Sequence, residues 1–191
     1  MAKIGLTNFR YSILDTSAAT EPVYSGAKTL GKAISCNVEI ESNDASLYAD
    51  DTLVETDTSF QKGTVTIGID EEDITTMAAL LGHTVSSSSP YIMTRKSSDI
   101  APYVGLGRIV TKMINGAYKY KVEFLYKVKF SEPQAENNTR GESTEFGTYE
   151  LEGTIAALSD GSWSITQQFD TKAAALTYLE SLLAAPTPPT P

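Results

Sequence analysis

The chain has 191 residues, with 15 Lys and Arg against 24 Asp and Glu, one His and one Cys. Apolar residues make up 41% and charged residues 20%, which suits one well-filled core and excludes wholesale disorder. One Cys and one His exclude an internal disulfide and a Cys/His zinc centre, and the formal charge of -9 opposes any firm grip on nucleic-acid phosphates.

The opening stretch, Met1 to Arg10, lacks the apolar core of a signal peptide. Nowhere does an apolar run approach the roughly 18 residues of a membrane span. We therefore expect a soluble protein made in a cytoplasm, with no membrane partner. Phe9, Tyr11 and Ile13 alternate with Arg10 and Ser12, as in a strand. Ile34, Cys36, Val38 and Ile40 alternate with Ser35, Asn37, Glu39 and Glu41 in a second strand, which turns Cys36 inward as a packed thiol.

Residues 42–63 read as a long, polar, acidic loop with four apolar residues, Leu47, Tyr48, Leu53 and Val54, in need of a partner. Between Glu39 and Asp73 stand eleven acids and one base, Lys62, so nearly all the net charge is here. Val65, Ile67 and Ile69 make a short strand. A helix is predicted from about Glu71 to Leu81, with acids in its first turn and Gly82 as its stop. His83 then reads as a helix-end or surface residue. A Ser-rich loop follows over 86–98.

Residues 103–130 form the clearest element. Asn115-Gly116 favours a two-residue type I′ turn. It joins a strand from Tyr103 to a strand of strict alternation, in which Tyr118, Tyr120, Val122, Phe124, Tyr126, Val128 and Phe130 share one face. That turn places Arg108 opposite Glu123, Gly107 opposite Phe124, Gly105 opposite Tyr126, and Lys112 opposite Lys119. The last pair repels unless acids come from elsewhere. Six bases and one acid lie between Arg108 and Lys129. A loop over 131–144 leads to a strand of Tyr149, Leu151, Gly153 and Ile155. Asp160-Gly161 turns the chain into another from Trp163 to Phe169. A C-terminal helix is predicted over 170–183, with Asp170 as N-cap and Ala173, Leu176, Leu179 and Leu183 as its inner stripe. Residues 184–191 form a stiff Pro-rich tail.

The fold class that follows is mainly β (α+β): a β-sandwich or flattened barrel with a long hairpin and one or two flanking helices, in a single domain over 1–183. No nucleophile elbow, phosphate loop, metal-binding motif or selected carboxylate pair is present. We therefore expect no enzyme activity, no cofactor and no metal. The acidic and basic blocks suggest contacts between copies, since opposite patches steer association and fix register.

Over about residues 1–183 the sequence resembles the major tail proteins (tail tube proteins) of long-tailed bacteriophages, of the phi13 type. The resemblance is carried by Leu30 to Val38 and on to Tyr48-Ala-Asp-Asp, by Ala101 to Met113, by Tyr118 to Pro133, and by Gly147 to Leu158. It implies a subunit that forms hexameric rings stacked into a tube, whose inner sheets join edge to edge. Its partners would be itself, a tape-measure protein and tail-end or baseplate proteins. DNA would pass through without specific binding. Its place would be the virion tail, and the host cytoplasm during assembly. In such tubes a long early loop commonly reaches the adjacent ring, and residues 42–63 occupy that position.

The residues expected between subunits are Asp44, Leu47, Tyr48, Asp50, Asp51, Leu53, Val54, Glu55 and Asp57 on the acidic side. On the basic side they are Arg108, Lys112, Lys119, Lys121, Lys127 and Lys129. The alternative is a host- or carbohydrate-binding β-domain of a virion or cell surface, with Tyr48, Tyr91 and Tyr103 as stacking platforms.

Overall fold

The computed structural model of the chain describes residues 2–16, 22–49, 52–134 and 148–184. It is mainly β. The chain opens with β1 (Ala2–Asp15), longer than the alternation of Phe9 to Ile13 suggests, and passes through β2 (Val23–Tyr24) and β3 (Lys28–Gly31) into β4 (Ala33–Ser42). A small hairpin of β5 (Ala45–Ala49) and β6 (Thr52–Asp57) precedes β7 (Phe60–Ile69). Helix α1 (Ile74–Leu81) leads to the short strands β8 (Thr84–Val85) and β9 (Met93–Thr94). The long hairpin is β10 (Val104–Ile114) and β11 (Ala117–Phe130). After it come β12 (Tyr149–Ile155), β13 (Ser164–Phe169) and α2 (Lys172–Leu182).

All pairings are antiparallel, and they close a circuit. β1 pairs β10, β10 pairs β11, β11 pairs β12, β12 pairs β7 and β7 pairs β4. Only Lys32 separates β4 from β3, and β3 pairs back onto β1 through Phe9–Gly31, Arg10–Thr29 and Tyr11–Lys28. The circuit is a flattened barrel. It splits at one end, where residues 120–125 of β11 pair with β13 and only 128–130 pair with β12.

The turn chemistry of the long hairpin is as the sequence dictates. Asn115 and Gly116 both have positive φ, 51° and 77°, and every pair from Ile114–Ala117 out to Leu106–Leu125 is in the expected register. Between Leu106 and Val104 the register slips by one, because Tyr126 and Lys127 stand where the partner strand has Gly105 alone. This β-bulge inverts the alternation.

The seven alternating residues of β11 therefore do not share one face. Val122 and Phe124, with Tyr120 and Tyr126, pack outward against α2, while Val128 and Phe130 point into the barrel beside Leu125. A face that the sequence presents as continuous is thus divided between two cores. The inner core holds Phe9, Tyr11, Val65, Ile67, Ile69, Leu106 and Leu151, capped by Met77, Leu80 and Leu81 of α1. The outer core holds Ile109, Val122 and Phe124 beneath Ala175, Leu179 and Leu183.

Both helices start later than expected. Asp73 caps α1, accepting from the Thr76 amide at 2.9 Å. Asp70 instead accepts from the Lys32 amide and ammonium, at 2.8 and 3.1 Å. Thr171, not Asp170, caps α2. The inner stripe of α2 is Ala175, Leu179 and Leu183, and Ala173 is exposed.

The bare backbone of Gly107 lets α2 sit down on the sheet: a Cβ there would collide with Leu179 Cδ1 and meet Phe124 Cδ2 at 3.1 Å. Gly107→Ala is therefore expected to destabilise the fold by about 1–3 kcal/mol through overpacking, seen as a lower denaturant midpoint. An unchanged midpoint would contradict this seating of α2.

Candidate assembly surface

Half of the cations of the basic hairpin are paired with acids of their own chain. Arg108 and Glu123 face each other on the inward side of β10 and β11, with Arg108 Nε 2.8 Å and Nη2 2.5 Å from Glu123 Oε2. Lys121 Nζ takes the other oxygen, Oε1. The Arg108 and Glu123 side chains are 13% and 17% exposed. Burial pushes the Glu123 carboxyl up, but Lys121 and Arg108 outweigh it and hold the group below the usual carboxylate range. Arg108 Nη1 also donates to Cys36 Sγ at 2.8 Å, and Cys36 packs on the inner core as expected. Burial raises its thiol pKa, against the pull of Arg108.

Lys112 does lie opposite Lys119, and the missing acid comes from the C-terminal region: Asp170 Oδ1 sits 2.6 Å from Lys119 Nζ. Lys127 and Lys129 stand over the Tyr103 ring, 4.5 and 5.4 Å from its centroid. Tyr103 is half-buried beneath these two cations rather than an open platform. Arg108 and Lys121 are thus committed inside the subunit, while Lys112, Lys127 and Lys129 carry no intramolecular carboxylate bridge among the described residues.

The acidic side is organised differently from the expected loop. Residues 42–63 contain the end of β4, the β5–β6 hairpin and the start of β7. Apolar residues at 47, 48, 53 and 54 mark the two short strands that a loop reading overlooked. The base of this arm is tied by Asn43, whose Nδ2 donates to Asp57 Oδ2 at 3.3 Å and to Ser59 Oγ at 3.0 Å. Asp57 Oδ1 also accepts from the Ser59 amide at 2.9 Å, and these bonds hold its carboxyl below the usual range. Asp57 is therefore a structural brace. Asp44 is exposed. Asp50 and Asp51 lie outside the described residues, as do the side chains of Leu47, Tyr48, Leu53, Val54 and Glu55.

Among the described residues, β4 pairs only with β7, β13 only with β11, and β5 only with β6. β4 is exposed along much of its length, including Ile34 at 50% and Ile40 at 40%. Exposed strand edges of this kind invite another chain.

His83 is more than a helix-end residue. Its side chain is only 5% exposed, with Nδ1 2.8 Å from Asp99 Oδ2 and Nε2 against Glu132 Oε1. Arg95 Nε lies 3.8 Å from the other Glu132 oxygen. His83, Asp99 and Glu132 are separated widely in sequence, so no local pattern reveals this node. The Asp99 bond raises the imidazole pKa, and Glu132 adds to this against partial burial.

A cleft of about 620 Å³ opens beside β1, β3 and α1. Several of its polar groups are spent on neighbours: Arg10 on Thr29, Lys32 on Asp70, and Asp73 on Thr75 and Thr76. Among the described residues no three His, Cys, Asp or Glu side chains form a metal-holding group, and no helix is long and apolar enough to cross a membrane. Comparison with protein-family models and with curated proteins finds no match to this chain.

Three outcomes follow. Glu123→Ala leaves Arg108 and Lys121 without a shared counter-charge and is expected to cost about 3 kcal/mol in chemical denaturation. Loss of the exposed Glu41–Lys62 bridge, 3.2 Å long, should cost at most about 1 kcal/mol. Because its pKa is raised by folding, His83 adds stability that is fully present below its unfolded value of about 6.5 and fades as pH rises through the folded value. The thermal midpoints of wild type and His83→Gln should therefore differ most under mildly acidic conditions and converge at higher pH. A difference that grows with pH would reverse the assignment.

Proposed function

We propose that the chain is a structural, self-assembling subunit of a phage tail tube, building stacked rings that conduct DNA. The observation that carries this reading is the set of open strand edges. β4 and β13 each offer an unpaired side among the described residues, and β4 runs directly into an arm whose sheet is formed by β5 and β6 alone. A neighbour that pairs these edges turns an aggregation hazard into an ordered wall. The charge agrees. A conduit built from copies of formal charge -9 repels a polyanion instead of holding it.

The resemblance in Leu30 to Val38, Ala101 to Met113, Tyr118 to Pro133 and Gly147 to Leu158 supports the same reading, with a tape-measure protein and tail-end proteins as further partners. The acidic arm reaches Lys112, Lys127 and Lys129 of a neighbouring copy. Arg108 and Lys121, occupied by Glu123, are not part of that contact.

Negative-stain microscopy of concentrated protein should show rings or tubes about 100 Å wide, the span of six such domains around a bore. Protein that stays monomeric at every concentration overturns the reading. Asp50→Lys with Asp51→Lys should leave the monomer's melting unchanged and impair polymerisation. Normal tubes from that variant would remove the arm from the interface.

A further inference from the structure

The most exposed large apolar residues of the described chain include Ile100 at 76%, Ile92 at 61% and Tyr91 at 53%. All three fall within ten residues, and the segment is held firmly. The Ser86 hydroxyl donates to Ser88 O and Pro90 O, each at 3.1 Å, and accepts from the Ile92 amide at 2.9 Å. The Lys96 amide donates to Asp99 Oδ2 at 2.8 Å, and that same oxygen is bound to His83. Gly82 leaves its Cβ space to the backbone of Ile100. The apolar side chains are thus presented on a fixed scaffold, so little ordering entropy is lost when a partner covers them. Exposed Arg95 and Lys96 stand between them.

The opposite chemistry occurs elsewhere on the chain. Ile40, 40% exposed, stands between the exposed acids Glu39 and Glu41, the latter bridged to Lys62, with exposed Asp44 just beyond the end of β4. The two surfaces sit at different levels along β7. Helix α1 and His83 follow its Ile69 end, and Ser131, next to Glu132, donates to Glu152 O, whose residue pairs with Thr66 midway along the strand. Ile40 pairs with Gly63 at the other end, six residue steps or about 20 Å from Ile69.

We infer that residues 91–100 form a docking element for a second copy of this chain, which receives them on the acidic end of its β4. The contact is heterologous, joining unlike patches head to tail, and so it propagates instead of closing on a pair. It deepens the self-assembly reading and rests on it: the strand edges would close each ring, and this contact would join one ring to the next.

The experiment compares wild type with Ile92→Ser/Ile100→Ser, with Lys96→Glu, and with Lys96→Glu combined with Glu39→Lys, by sedimentation velocity and negative-stain microscopy. All four sites are exposed, so melting temperatures should stay within a few degrees of wild type. The serine pair and Lys96→Glu should stop at single rings, or need at least tenfold more protein to form tubes. Adding Glu39→Lys to Lys96→Glu should restore tubes. Tubes from the serine pair at the wild-type concentration overturn the docking element. A Lys96→Glu defect that Glu39→Lys leaves unrepaired overturns the assignment of β4 as its receiver. Failure of wild type itself to assemble is the separate result that overturns the self-assembly reading and this contact with it.

Discussion

One extra residue in β11 organises the subunit. At Tyr126 and Lys127 the strand bulges, and its inward and outward faces exchange. Before the bulge β11 supplies Val122 and Phe124 to the core under α2, and after it Val128 and Phe130 to the barrel. The same point divides its outer edge between β13 and β12. A bulge leaves backbone groups without ladder partners, and here they are met from three directions. Tyr126 O accepts from Tyr24 Oη at 2.8 Å, the Tyr126 amide donates to Trp163 O at 3.1 Å, and Lys127 O accepts from the Ala156 amide at 2.9 Å. Tyr24 and Phe124 also fill the space beside Gly105 on the partner strand.

The charge balance of the folded subunit differs from that of its sequence. The basic block over 108–129 looks like an exposed counterpart to the acidic block over 39–73. Folding turns Arg108 and Lys121 inward onto Glu123, and Lys119 onto Asp170. The acids at Glu39, Glu41 and Asp44 stay at the surface. The outside is therefore more one-sidedly acidic than the count of residues implies. The cations still offered to a partner are fewer, and include Lys96 beside apolar residues.

Local chemistry was legible and long-range juxtaposition was not. Asn115-Gly116 specified both the turn and the register out to Leu106–Leu125 because a two-residue loop leaves no slack. The bulge escaped notice because the alternation of aromatic and β-branched residues continues through it unchanged. Only pairing against the glycines of β10 reveals the slip. The strands of the arm are hard to read because both are short and β6 is rich in acids and Thr. The His83 node joins residues far apart in the chain, which no spacing rule can detect. Of the candidate site, the acidic end of β4 could be read from sequence. The burial of Arg108 required the fold.

The barrel is closed by unequal means. Most of its joints are long ladders, but β11–β12 and β1–β3 have only three residue pairs each, and the β1–β3 junction is also interrupted by an irregularity between Phe9 and Arg10 and followed at once by Lys32. Beyond that junction the two strands part company. The wall therefore has a built-in gusset, a short panel that can give while the long ladders hold their shape. A load on the flank of the subunit would concentrate there, leaving the long ladders that join β10 to β1 and to β11 undisturbed.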